Sequence, residues 1–261
     1  MLFVVSTGRT GTQWLANTFA AAGADAYHER GPRAFRLVSN AYAAGKLSAA
    51  RASWFLQRWR GDVHALQHTP YFEASVFLCG LVAPILATFH DAEVVQVVRN
   101  PLTFAQSAMN WGQYRLAGRP LNLIPFRRPA PPQYDPWSPT TRARWVATDQ
   151  FGRLCWAWTA MNRTIREQGA ASPRFSTLRY EDLVSPDHGH ETLGSMFARV
   201  GLTPGDHVVA QRLATRDNES TTGSFPPWNQ WSVQRLNRLV EVCGAEAQHY
   251  GYDLEAIIAG R

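Results

Sequence analysis

The chain has 261 residues, 45% of them hydrophobic and 12% aromatic, enough to bury a sizeable core and suited to one α/β domain over residues 1–261. No run approaches the roughly 18 apolar residues that span a bilayer, and no export signal is visible at the start, so the expected location is the cytoplasm. The net charge is +6, Lys46 is the only lysine, and the other basic residues are arginines, scattered without the basic run of a nucleic-acid arm.

The first element predicted is a strand over residues 2–6, in "LFVVSTGRTGTQWL", which empties through a Gly-Arg-Thr-Gly turn into a helix of about Thr12 to Ala22. A second short strand, "ADAYHERGP", follows. Residues 35–60 read as helix with a break near Gly45, and "DVHALQHTPYF" as strand and loop. The run "EASVFLCGLVAPILATF" reads as one long apolar helix kinked at Pro84. "AEVVQVVRNP" is the clearest buried parallel strand, a β-branched run stopped by Asn-Pro, and a helix from about Leu102 to Tyr114 comes next.

A Pro-rich stretch over residues 116–140 is too irregular for a core and reads either as a lid over an acceptor site, with Tyr134 and Trp137, or as a plain surface excursion. Residues 141–168 read as one helix, "RFSTLRYEDLV" as a strand entering a turn, residues 189–212 and 232–247 as helices. Strand and helix alternate, which implies a parallel sheet with helices on both faces and ligands at the C-terminal strand ends.

The turn after the first strand is an anion site by composition. Gly8 and Gly11 allow close backbone approach, Thr10 and Thr12 add hydroxyls, and the helix N-terminus supplies unpaired N–H groups. A Walker loop needs a longer gap between glycines and a lysine after the second; both are missing, which disfavours hydrolysis of ATP or GTP.

"GRTGTQWL" resembles the 5′-phosphosulfate loop of sulfotransferases that use 3′-phosphoadenosine 5′-phosphosulfate (PAPS). Arg9, Thr10, Gly11, Thr12 and Trp14 fit that pattern, and Gln13 replaces a hydroxyl residue. "VVQVVRNPLTFAQSAMNW" resembles the same family's 3′-phosphate motif, with Arg99 at the strand end and Ser107 eight residues later. "LRYEDL" resembles the strand end beside the nucleotide, with Tyr180 near the cofactor and Glu181 and Asp182 fixing the turn. The closing helix and Tyr-Gly-Tyr are similar too, and the polar loop before them matches the segment over the 3′-phosphate, which nominates Arg216, Thr222 and Gly223. Residues 111–172 carry no motif.

The resemblance implies a P-loop NTPase-like three-layer fold, a central parallel sheet flanked by helices. It also implies transfer of a sulfuryl group from PAPS to a hydroxyl or amine acceptor such as a carbohydrate, glycolipid or small metabolite, with 3′-phosphoadenosine 5′-phosphate (PAP) as product and no metal. Arg9 would stand where the family has a lysine, and the general base would be Glu29 in "YHERGP" or His68 in "LQHTPYF". Each has a plainer reading: Glu29 as a surface carboxylate paired with Arg30 or Arg33, His68 as a structural histidine. His28 either orients Glu29 or faces solvent. Two other functions stay open, a kinase-like phosphotransferase and a non-catalytic anion- or nucleic-acid-binding module. Cys79, Cys155 and Cys243 show no pairing or metal spacing and read as buried thiols.

Overall fold

The computed structural model describes residues 1–66, 69–115, 139–215 and 223–261. In chain order the elements are β1 (Leu2–Val5), α1 (Thr12–Ala21), β2 (Asp25–His28), α2 (Phe35–Ala43), α3 (Ala49–Arg60), β3 (Tyr71–Ser75), α4 (Val82–Thr88), β4 (Glu93–Val98) and α5 (Pro101–Asn110). Then come α6 (Pro139–Ala147), α7 (Gln150–Gly169), β5 (Phe175–Arg179), the one-turn α8 (Tyr180–Leu183), α9 (Gly189–Ala198), α10 (Asp206–Leu213), α11 (Val233–Gln248) and α12 (Leu254–Ala259).

The five strands form one parallel sheet in the order β2-β3-β1-β4-β5. Alternation along β1 sorts the core into two layers. Phe3 and Val5 pack with Phe35, Leu56, Ile85 and Ile165 on the face covered by α2, α3, α4 and α7. Leu2 and Val4 pack with Leu15, Phe19, Phe72 and Phe197 on the face covered by α1 and α9. A third cluster joins α5, α7 and α11, with Trp158 fully buried at its centre. Because every strand runs the same way, all five C-terminal ends open on one edge, and β1 sits in the middle of it.

Three elements depart from the sequence-based expectation. The apolar run from residue 73 is not one helix. Its first three residues finish β3, whose five residues are all buried, and a 3-10 turn at Val76–Leu78 separates it from α4. A strand buried on both faces loses its period-two signature, so periodicity cannot separate it from a buried helix. Pro84 falls in the first turn of α4, where its missing N–H costs no intrahelical bond. The helix expected at 141–168 is two helices: the first stops at Ala147, and Asp149 caps the second, accepting from the Gly152 N–H at 2.8 Å. The helix expected at 189–212 is likewise divided between α9 and α10.

Among the described residues no helix is long and apolar enough to cross a membrane. Cys79, Cys155 and Cys243 are free and buried. Trp54 on α3 is exposed.

Candidate active site

The turn from β1 to α1 is held in an unusual backbone shape. Gly8, Arg9 and Gly11 have φ of 85°, 60° and 71°, and the Ser6 hydroxyl accepts from the Gly8 N–H at 3.1 Å. A non-glycine residue at positive φ is strained, and left-handed residues clustered in one turn curl the chain into an anion-binding concavity. Among the described residues no side chain caps the start of α1 at Gly11, which leaves first-turn N–H groups for a ligand. Gly11 has a second reason to be glycine: a Cβ there would sit 3.1 Å from Tyr180 Cε2.

The end of β4 meets this turn. Arg99 donates from Nη1 to the Arg9 carbonyl at 2.7 Å and from Nε to Thr103 Oγ1 at 3.1 Å. Arg9 Nε donates to Ser107 Oγ on α5 at 3.0 Å, and its guanidinium lies 5.0 Å from the Trp111 ring centroid. Arg99 lies 4.7 Å over the Tyr180 ring. The carbonyl of Arg99 is fixed from behind by the Trp158 indole at 2.9 Å. Glu181 accepts from the Asn100 N–H at 3.0 Å and from the Tyr252 hydroxyl at 2.6 Å, tying the ends of β4 and β5 to the C-terminal segment. Asp182 pairs with Arg179.

Burial, together with the neighbouring Arg99 charge, pulls the Arg9 guanidinium below its ordinary pKa, and burial does the same to Arg99. Both stay cationic at neutral pH. Two partly desolvated like charges side by side favour an anion between them.

Arg9, Gly11, Thr12, Gln13, Arg99, Ser107 and Tyr180 all line one cavity of about 1300 Å³ at the C-terminal edge of the sheet. Trp14 borders it too, but the ring is mostly buried and its N–H goes to the Arg212 carbonyl at 2.9 Å, so it contributes surface and not a donor. The Thr10 hydroxyl is fully buried behind the turn and has no hydrogen-bond partner among the described residues.

No protein-family model and no curated protein matches this sequence. Solved structures do match by shape. The sulfotransferase domain from the curacin biosynthetic pathway superposes with a TM-score of 0.53 at 14% identity, over 86% of this chain and 80% of that one. The sulfotransferase domain of the Synechococcus PCC 7002 olefin synthase gives 0.52 at 15% identity, over 97% and 94%.

This chain has the sulfotransferase fold.

Within that fold the other half of the cavity lies over β2 and β3. His28 ends β2, and its Nε2 lies 3.1 Å from Thr12 Oγ1, so it faces the first turn and not solvent. Burial lowers the His28 pKa, against an opposing pull from Glu29. Glu29 lines the cavity with φ of 50°. Arg30 is not its partner: that guanidinium pairs with Asp62 and donates to the Tyr71 hydroxyl at 3.3 Å. Among the described residues no ion pair joins Glu29 to Arg33 either.

The loop carrying Glu29 rests on a buried ion pair. Arg60 and Glu73, 1% and 0% exposed, are joined by two hydrogen bonds at 2.7 and 2.8 Å. Arg60 also donates to the Arg30 carbonyl, and the Tyr71 hydroxyl donates to Glu73 at 2.8 Å.

Gly223 packs against Asn110 at the end of α5 and does not line the cavity. The segment after it is pinned to α5, with the Phe225 N–H on Asn110 Oδ1 at 2.8 Å and the Trp228 N–H on Gln106 Oε1 at 3.2 Å. His68, Arg216, Thr222, Tyr134, Trp137 and residues 116–138 of the Pro-rich stretch lie outside the described residues. Among the described residues no group of three or more His, Cys, Asp or Glu could hold a metal.

The sequence reading passed over Thr103, Gln106, Asn110, Arg36 and Asn40, all of which line the cavity. For the α5 residues a signal existed: Thr103 and Asn110 share the helix face of Ser107 by four- and three-residue spacing, and Gln106 lies three and four residues from those two.

Proposed function

We propose that this protein is a PAPS-dependent sulfotransferase that moves a sulfuryl group to a hydroxyl of a small or carbohydrate-like acceptor. The observation that carries the reading is the junction of the β1 turn with the β4 end, where Arg99 holds the Arg9 carbonyl and Arg9 holds Ser107. Two guanidiniums, an uncapped helix start and a hydroxyl at one point suit a ligand with several phosphate or sulfate oxygens. The left-handed turn through Gly8, Arg9 and Gly11 and the close approach at Gly11 are further signs of a cradle made for such a group.

PAPS would supply the sulfuryl group and the PAP leaving group. The N–H groups of Gly11 and Thr12 and the Arg9 guanidinium would hold the 5′-phosphosulfate; Arg99 and Ser107 would hold the 3′-phosphate, with the Tyr180 ring beside the nucleotide. Sulfuryl transfer resembles phosphoryl transfer in needing in-line positioning and charge neutralisation more than covalent help. Arg9 stabilises negative charge on the leaving oxygen and moves no proton, because arginine does not deprotonate here. Glu29, at the cavity wall after β2, takes the proton of the acceptor hydroxyl onto its carboxylate. His28 orients Thr12 at the head of α1.

Thermal-shift titration with PAP, ATP and an oligonucleotide tests this reading. PAP should stabilise the protein at concentrations where ATP does little. A larger shift with ATP would favour a phosphotransferase, and a salt-dependent shift with the oligonucleotide alone a nucleic-acid-binding module.

A further inference from the structure

Between Glu29 and Asp62 the chain carries six arginines, its only lysine and no acidic residue. Some of these cations serve the fold: Arg60 is buried against Glu73, and Arg30 pairs with Asp62. Lys46, Arg51 and Arg58 differ, since all three are exposed and none has an ion pair among the described residues. The helices packed against α3, namely α2 and α4, hold no acidic residue, and Asp62 just beyond its end is taken by Arg30. Arg51, Trp54 and Arg58 follow one another at three- and four-residue spacing and form one stripe along α3, about 10 Å long at 1.5 Å per residue. Trp54 is 56% exposed, whereas a ring of that size is ordinarily well buried. The ring is steadied at one side by an aromatic row that leads into the core. Its centroid lies 4.9 Å from that of Phe55, Phe55 lies 5.0 Å from Trp59, and Trp59 lies 4.9 Å from the buried Phe35. The indole is thus displayed on a firm base between two cations.

We infer that this face of α3 docks on an anionic membrane surface, with the Trp54 indole at headgroup level and Arg51 and Arg58 on the lipid phosphates. Charge complementarity sets the sign of the partner, and the ring sets its kind. An indole is best placed at the boundary between headgroups and acyl chains, where its apolar body and its N–H are both satisfied. Guanidiniums on either side of it meet phosphate oxygens while staying in water, and each adds attraction to a negatively charged leaflet. A nucleic-acid strand would instead stack successive bases on several rings along a basic groove, and this stripe offers one exposed ring on the outside of a helix. One indole and a few cations give reversible binding and not permanent anchoring. α3 contributes nothing to the cavity wall, so the surface works whatever group the enzyme transfers.

Co-sedimentation of the full chain with vesicles tests this at about 0.1 M salt, where charge still acts over ~10 Å. The vesicles are phosphatidylcholine alone and an equal mixture with phosphatidylglycerol; neither donor nor acceptor is needed, so the result stands apart from the sulfotransferase reading. The mixed vesicles should be bound at least about tenfold more tightly than the neutral ones. Trp54→Ala should weaken that binding about tenfold, the scale of losing one partly buried ring. Arg51→Gln and Arg58→Gln should weaken it about fivefold each. Arg144→Gln makes the same charge change at an exposed site on α6 and should leave binding within about twofold of the unmodified chain. All four side chains are exposed, so the variants should keep the unmodified Tm. No preference for the mixed vesicles, full binding by Trp54→Ala, or a loss from Arg144→Gln as large as that from Arg51→Gln overturns the inference. So does a protein that ignores vesicles and binds an oligonucleotide through Arg51 and Arg58.

Discussion

Arg99 donates from Nη1 to the backbone carbonyl of Arg9, ninety residues earlier in the chain, at 2.7 Å. One hydrogen bond thereby links the exits of two neighbouring strands, and each residue brings a cationic head to the same cavity. The Arg9 carbonyl is directed at Arg99 while its side chain reaches Ser107, which gives the positive φ of Arg9 a purpose: the turn presents both ends of one residue to β4 and α5.

Arg9→Ala should lower sulfuryl transfer from labelled PAPS by on the order of 10²–10³-fold, the scale of losing a main charge-stabilising group. Arg9→Lys should recover much of it, because the role is electrostatic. Near-normal turnover by the alanine variant removes Arg9 from the mechanism.

Glu29→Gln should lower kcat by about 10²–10⁴-fold while PAP affinity stays at the unmodified value. His68→Ala, tested beside it, should leave kcat within a few-fold. The opposite pattern would move the base to His68.

Glu73→Gln should destabilise the fold by about 3–5 kcal/mol, because Arg60 would be left buried without its partner. For a chain of this size that is a fall in Tm on the order of 10 °C. Since Arg60 also holds the Arg30 carbonyl, kcat measured well below the new Tm should fall more than PAP affinity does. An unchanged Tm would mean that the pair is not closed in solution.

Stability should decline as pH falls below about 6.5, the ordinary value for histidine, in part through His28. Its folded-state pKa is lowered, so above 6.5 both states hold it neutral and nothing is lost. Below 6.5 the unfolded chain takes up a proton that the folded site resists, which favours unfolding down to the folded pKa. His28→Gln should flatten the Tm profile between pH 7 and 5; an equally steep profile would clear His28 of this role.

Local signals in the chain located much of the sheet and the residues on one side of the cavity. The strand–turn–helix at residues 2–21 and the Arg99 to Ser107 interval lie within single segments, where a glycine, a proline or a fixed spacing marks the geometry. What escaped was non-local. β3 has no alternation because both its faces are covered. The Arg60–Glu73 pair joins a helix to a strand thirteen residues on, and neither residue looks unlike a surface charge in sequence. The contact of His28 with Thr12 depends on how α1 sits relative to the end of β2, which no short stretch encodes. Arg33 and Arg36 were visible as basic residues at the start of a helix, but only the fold shows which cavity they border.

The most direct measurement is the dissociation constant of PAP by calorimetry for the unmodified chain, Arg9→Ala, Arg99→Ala and the control Arg51→Ala. The account predicts saturable one-to-one binding, weakened about tenfold or more by each of the first two substitutions and unchanged by the third. No binding by the unmodified chain, or Arg9→Ala and Arg99→Ala proteins that bind PAP as tightly as it does, would contradict it.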